Sequence, residues 1–281
     1  MQKIKLIVLQ NLIEKKVTSK ELDFILHISQ FQNEAGEIRG VYYRDFSDCM
    51  SIQSFYDVKA SLKEKGIIEV KKNSDIDYDI TICGNDFTDK DFSAGYINTS
   101  HAVFKNRNFK AMKANEKLMV MDLMKITYSN KGSWQIGASK FLERYKGLFG
   151  VTLRVIRSYM HSIKQFFHVS LRKFKYLIIP KQDIYHQDPG ERSGNQIYAE
   201  SIVRTLCRRT KIKEYVERDL EDTAALIWQY QGRFQSLSLD IVDALGEALN
   251  KSLNIINADS AEKKQHKLNP RLIHKKLLEM L

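Results

Sequence analysis

Apolar residues recur along this chain at two spacings, and the alternation between them divides it. Ile4, Leu6, Ile7, Leu9, Leu12 and Ile13 suit a short helix over residues 3–13. Thr18-Ser19-Lys20-Glu21 then signals a helix start, with Leu22, Phe24, Ile25, Leu26 and Ile28 on its apolar side. A turn-like Asn33–Gly40 and the short VYYRDFSDCMS precede a third helix over Ile52–Lys65, ended by Gly66. The spacing then changes to two. Ile67–Val70 reads as one strand. In Asp75–Cys83, Ile76, Tyr78, Ile80 and Ile82 alternate with Asp75, Asp77, Asp79 and Thr81, predicting a second strand with one buried face.

The middle third repeats this order. A helix opens at Asn115-Glu116-Lys117-Leu118, Trp134-Gln135-Ile136 suits a short strand, and Ser139–Leu148 and Thr152–Phe167 suit two further helices. His168–Ser170 and Lys175–Ile179 form the predicted hairpin. Ser51, Phe55, Val58, Leu62 and Ile68 align with Thr152, Ile156, Tyr159, Ile163 and Val169 at an offset of 101. The expected fold is mainly α with small β-hairpins: two tandem winged-helix (helix-turn-helix) domains at 1–88 and 96–182, followed by a helical C-terminal domain at 195–281. Asp188–Asn195 (DPGERSGN) reads as the linker. Beyond it, helices are expected over Gln196–Arg218, Leu220–Gln231 and Leu237–Leu253. Asn269-Pro270 opens a last helix whose stripe of Leu272, Ile273, Leu277, Leu278 and Leu281 needs something to pack against.

The stretch SLKEKGIIEV and its following hairpin resemble winged-helix regulators and the amino-terminal domains of DnaD-type primosomal proteins. YINTSHAVFKNRNFKAMKANEKLMVMDLM resembles the opening of RepA-type plasmid replication initiators of low-GC Gram-positive bacteria. The resemblance spans about 170 residues at the level of pattern. It implies binding to double-stranded DNA and a bacterial or mobile-element setting, and it does not separate a regulator from an initiator.

Charge sharpens the picture. The 281 residues carry a net charge of +11. Residues 1–88 contribute −2, residues 89–185 contribute +12 and residues 186–281 contribute +1. From Arg144 to Gln182 there are nine Lys or Arg and no Asp or Glu. One-signed charge on a segment that also carries core-type residues points to a polyanionic partner.

On a helical wheel, Ile156, Tyr159, Met160, Ile163 and Phe167 turn one way. Arg154, Ser158, His161 and Gln165 turn the other, with Arg157 and Lys164 on the flank. Arg172, Lys173 and Lys175 follow at the hairpin tip. Arg and Gln can address base edges in a major groove and Lys the phosphates, so these nine are the leading DNA-binding candidates. In the first domain the corresponding candidates are Gln53, Tyr56, Lys59, Lys63, Lys71 and Lys72, with Asp57 and Glu64 among them.

Other chemistry finds little support. Asp75, Asp77 and Asp79 begin like a calcium loop, but Ile80 stands where Gly is needed and Asp86 where Glu is usual. No HExxH, CxxC or GK[ST] phosphate loop occurs, and His161 and His168 are seven apart. RTLCRRTKIK (Arg204–Lys213) reads as a core Cys207 on a helix with a basic outer face. Three scattered cysteines and no apolar run of membrane-spanning length predict a reduced, cytoplasmic protein without membrane contact. No catalytic residue, metal or cofactor is expected. The reading is a non-enzymatic, sequence-specific duplex-DNA binder, first a transcriptional regulator and alternatively a plasmid or phage replication initiator binding origin repeats. An adaptor whose winged helices contact protein is the third possibility. The C-terminal domain is expected to form homo-oligomers or recruit a protein partner.

Overall fold

The computed structural model describes residues 2–88, 95–99, 101–181, 193–213, 215–258 and 267–281. Among them, helices dominate and three small antiparallel sheets accompany them. The chain forms two compact units, Met1–Glu191 and Arg192–Leu281.

Unit 1 begins with a strand where the apolar spacing predicts helix. Gln2–Lys5 is β1, and only Leu6–Glu14 is helical (α1). The reason is non-local: β1 pairs antiparallel with Tyr96–Thr99 (β5), Gln2 opposite Thr99 and Ile4 opposite Ile97. Helix α2 (Ser19–Ile28) starts where the sequence says, at a capping box in which Glu21 N–H donates to Thr18 Oγ1 at 3.2 Å and Thr18 N–H to Glu21 Oε2 at 2.6 Å. The expected turn Asn33–Gly40 instead contains most of a strand, Glu37–Val41 (β2). Ser51 caps α3 (Ile52–Glu64), and Gly66 ends it at φ +67°. Strands Ile68–Lys72 (β3) and Tyr78–Ile82 (β4) complete the sheet, in the order β2-β4-β3. Tyr78, Ile80 and Ile82 are buried as the alternation predicts. Ile76 is not: it lies in the turn and is exposed, because the strand begins two residues later than its polar-apolar rhythm.

The second half follows the same plan. Short helices His101–Lys105 (α4) and Arg107–Ala111 (α5) lead into α6 (Ala114–Ser129). Then come β6 (Trp134–Gly137), α7 (Ala138–Phe149), α8 (Leu153–Ile163), β7 (Phe167–Arg172) and β8 (Lys175–Pro180). The sheet order is β6-β8-β7, matching that of the first half. Helix α8 stops four residues short of the expected Phe167, which turns inward from the strand rather than from the helix.

One apolar core runs through both halves, from Ile4 to Ile178. Helix α6 is its centre. Every residue from Glu116 to Met124 is buried, and the helix packs against α1 of the first half and against α8 and β8 of the second. LMVMDLM has no polar face, as a helix enclosed on all sides requires. The polar exceptions are paired. Lys117, 0% exposed, donates to Asp23 at 2.6 and 2.8 Å and to Ser19 Oγ at 2.8 Å, joining α6 to α2. Burial holds the Asp23 carboxyl above its usual range, with Lys117 offsetting part of the shift. Asp122 accepts from Tyr145 Oη at 2.9 Å and from Arg144 at 2.9 and 3.2 Å, joining α6 to α7.

His27, half-buried with its ring Nε2 inside, is a group of the opposite kind. Its ring lies against Phe46 and Phe31, and its Nε2 has no hydrogen-bond partner among the described residues. Burial, then repulsion from Lys105 and Lys110, lowers its pKa from 6.5 to about 4. A folded pKa below the unfolded one means that this stability is present above about pH 6.5 and lost as pH falls through about 4. We expect acidification from pH 7 to pH 4.5 to cost roughly 2–3 kcal/mol through this residue. Urea denaturation at both pH values should show that loss in the wild type and a correspondingly smaller one in His27→Phe. Equal losses in the two proteins would contradict the assignment.

Unit 2 is a helical bundle of α9 (Gly194–Arg209), α10 (Glu217–Ser236), α11 (Ile241–Ala258) and α12 (Pro270–Leu278). The linker expected at Asp188–Asn195 lies mostly outside the described residues; Ser193 caps α9. The helix expected to run to Arg218 ends at Arg209, with Lys211 at φ +63° just beyond. Helices α10 and α11 extend past their expected ends. Asn269 caps α12 and Pro270 opens it as expected. Ile273 and Leu277 are fully buried in a core shared with α10 and α11, while Leu278 and Leu281 remain exposed. Cys207 is buried in the same core, which pushes its thiol up to about 12, and Arg204 faces Glu217 at 3.6 Å.

Candidate functional site

Helix α8 sits in its half of unit 1 as the pattern requires. Thr152 precedes it, no acid occupies its first turn, and Ile156, Tyr159, Met160 and Ile163 are buried. Spacing by three and four then puts Arg154, Arg157, Ser158 and His161 on one exposed stripe. Gln165, expected on that stripe, is off the helix. Lys164 is the C-terminal cap, and Lys164, Gln165 and Phe166 form a tight turn through bonds to His161, Ser162 and Ile163 carbonyls. Lys164 and Gln165 are exposed at the corner between helix and strand.

A repeated anchor fixes this helix. Glu116, third residue of α6, accepts from Lys113 N–H at 2.8 Å and from Ser162 Oγ of α8 at 2.7 Å. In the first half, Glu21 accepts from Thr18 N–H and from Ser61 Oγ of α3 at 2.6 Å, and Lys65 adds a bond at 2.7 Å. Burial opposes the Glu21 carboxylate, but Lys65, Ser61 and the Thr18 N–H together hold its pKa below the usual value. Ser61 and Ser162 stand 101 residues apart, the offset at which the apolar positions of the two halves align. Sequence reasoning missed both serines, although the repeat carried the signal.

The hairpin β7–β8 carries the other cations. Arg172 pairs directly with Lys175 across the strands, and Lys173 and Phe174 close the turn at φ +46° and +59°. Two-residue hairpin turns of this hand normally use Asn-Gly, since a side chain in that region costs about 1–2 kcal/mol per residue. Like charges directly opposed add a further penalty. Phe174, 88% exposed, buries almost none of its ring. Its carbonyl accepts from Ala138 N–H at 2.8 Å, tying the tip to the start of α7. Four adjacent residues thus depart from what stability alone favours.

Pairing separates the two halves of unit 1. Of the nine cations in the acid-free stretch, Arg144 is held by Asp122, and Lys146 lies 3.8 Å from Glu143, both acids outside or at the edge of the run. Arg154, Arg157, Lys164, Arg172, Lys173 and Lys175 are exposed and make no ion pair with any described residue. The first-half candidates are mostly engaged. Gln53 donates to Asp57 at 2.7 Å, and Lys72 pairs with Asp75 at 2.7 Å. Lys59 lies 3.0 Å from the centre of the Tyr78 ring and 4.8 Å from that of Tyr56. Burial, then repulsion from Lys72 and Lys63, lowers its pKa to about 8. The Tyr56 hydroxyl reaches the Asp75 carbonyl at 3.4 Å. Lys63 and Lys71 alone of this set are exposed without an ion pair among the described residues.

The calcium-like acids are likewise used locally: Asp75 by Lys72, and Asp79 by Gly40 N–H at 2.9 Å. Among the described residues no group of three His, Cys, Asp or Glu is placed to hold a metal ion, and no helix is long and apolar enough to cross a membrane. Comparison with protein-family models, curated proteins and solved structures gave no match.

Proposed function

We propose that this chain is a sequence-specific duplex-DNA-binding protein that acts through α8 and the β7–β8 hairpin. Each half of unit 1 is read as a winged helix: a helix, a strand, a helical turn or helix, a second helix and two strands, with the first strand beside the last. In that reading α8 enters the major groove, where Arg154, Arg157, Ser158 and His161 address base edges and phosphates. Arg172, Lys173 and Lys175 on the wing, with Lys164 at the corner, address the flanking backbone.

One observation carries the proposal. Six exposed cations without acidic partners among the described residues sit on the helix and wing of the second half, whereas among the first-half candidates only Lys63 and Lys71 are so placed and Gln53, Lys59 and Lys72 are engaged by acids or aromatic rings. A merely solvated surface mixes both signs; this one supports a polyanion.

The role we assign is transcriptional regulation without catalysis. Unit 2 is then the part that self-associates or recruits a protein. Fluorescence anisotropy with a mixed-sequence duplex tests the binding: affinity should fall steeply from 50 to 200 mM salt, and no binding at low salt would end the DNA reading. Genome-wide mapping of bound sites tests the role. Dispersed promoter sites support a regulator, whereas a single cluster of repeats at an origin would reassign the chain as a replication initiator.

A further inference from the structure

We propose that Phe174 is a wedge that enters the minor groove and partly unstacks the duplex, bending it. The inference rests on the DNA-binding role of the second half of unit 1. Phe174 is the most exposed large apolar side chain among the described residues, at 88%. It stands in the two-residue turn of the hairpin, between Lys173 and Lys175 in sequence, where Arg172 pairs with Lys175 across the strands. An exposed ring flanked in sequence by cations suits a partner that is anionic outside and aromatic inside, and duplex DNA has that combination.

Shape narrows the choice of groove. A two-residue turn narrows to two side chains, here Lys173 and Phe174, a tip that a minor groove about 6 Å wide admits, whereas a helix needs the major groove about 12 Å wide. Proteins that insert apolar side chains between base steps from the minor groove kink the duplex toward the major groove. The tip is also held in advance. Lys173 and Phe174 both sit in the left-handed region, and Ala138 N–H fixes the Phe174 carbonyl at 2.8 Å. The ring is therefore presented rather than recruited, and the backbone conformation that presents it is one that phenylalanine rarely adopts.

The test uses the full chain, mixed-sequence duplexes labelled at both ends for energy transfer, and the variants Phe174→Ala and Phe174→Trp. Wild type should bring the ends closer on binding. Phe174→Ala, exposed and thus expected to fold (checked by circular dichroism), should bind within about tenfold with an unchanged salt dependence and lose most of the bend. Phe174→Trp should show fluorescence quenching on duplex DNA beyond that of the two native tryptophans. A Phe174→Ala variant that bends DNA as wild type does, or a Phe174→Trp variant whose added indole signal is unmoved in the complex, would overturn the wedge while leaving DNA binding intact. Equal quenching by single-stranded oligothymidine would overturn it in favour of stacking on unpaired bases. Failure of wild type to bind any duplex would remove both this inference and the reading beneath it.

Discussion

Changing Arg154, Arg157, Arg172 and Lys173 together to alanine is expected to weaken duplex binding by about 100- to 1,000-fold and to lower the slope of log affinity against log salt by about three to four. Each of these side chains is exposed and lacks an ionic partner among the described residues, so each is free to release a counterion from a phosphate. Changing Lys59, Lys63, Lys71 and Lys72 should cost less than about tenfold, because Lys59 lies over Tyr78 and Lys72 is bound to Asp75. Arg154, Arg157, Arg172 and Lys173 are exposed and outside the core, so the first variant should unfold as wild type does; circular dichroism checks the second, which removes Lys59 from the Tyr78 ring. Anisotropy titrations at several salt concentrations give both quantities. Equal losses in the two variants would show that the halves share the contact, and the leading role of α8 and the β7–β8 hairpin would fall.

The second large effect concerns the seam between the halves. Asp23→Ala leaves the Lys117 ammonium buried without its partner and is expected to destabilise unit 1 by about 3–5 kcal/mol in urea denaturation. The pair itself contributes little net stability. Burial already holds Asp23 above its usual pKa despite Lys117, so desolvation outweighs the attraction. The double replacement Asp23→Leu with Lys117→Met should therefore recover most of the loss. Because α6 belongs to one core with α2, the single variant should shift one cooperative transition of unit 1 rather than free one half. A loss under about 1 kcal/mol, or a double variant no better than the single, would contradict this account of the seam.

What the chain revealed in advance was local. Thr18 with Glu21, Gly66, and Asn269-Pro270 mark helix ends through neighbours three or four residues away, and those ends were legible. Strand β1 was not, since Gln2–Lys5 is extended only by virtue of residues 96–99. Strand β2 carries Gly40 at φ +72° and an irregular register, so EIRGV lacks a clean alternation. The burial of α6 was written in the nearly unbroken apolar run LMVMDLM.

The candidate site divides the same way. Its charge was legible because composition and helical spacing are sequence properties. Which cations are free was not: Lys59 meets Tyr78, Lys117 meets Asp23 and Arg144 meets Asp122 only after folding. Phe174 escaped notice because Lys173-Phe174 contains none of the Gly or Asn that marks a left-handed turn.

The most direct test of the central claim is where a duplex touches the protein. Photo-cross-linking a bromouracil-substituted, mixed-sequence duplex to the full chain, followed by peptide mapping, should place the adducts between Leu153 and Lys175. Adducts confined to Ile52–Lys72, or to unit 2, would contradict it.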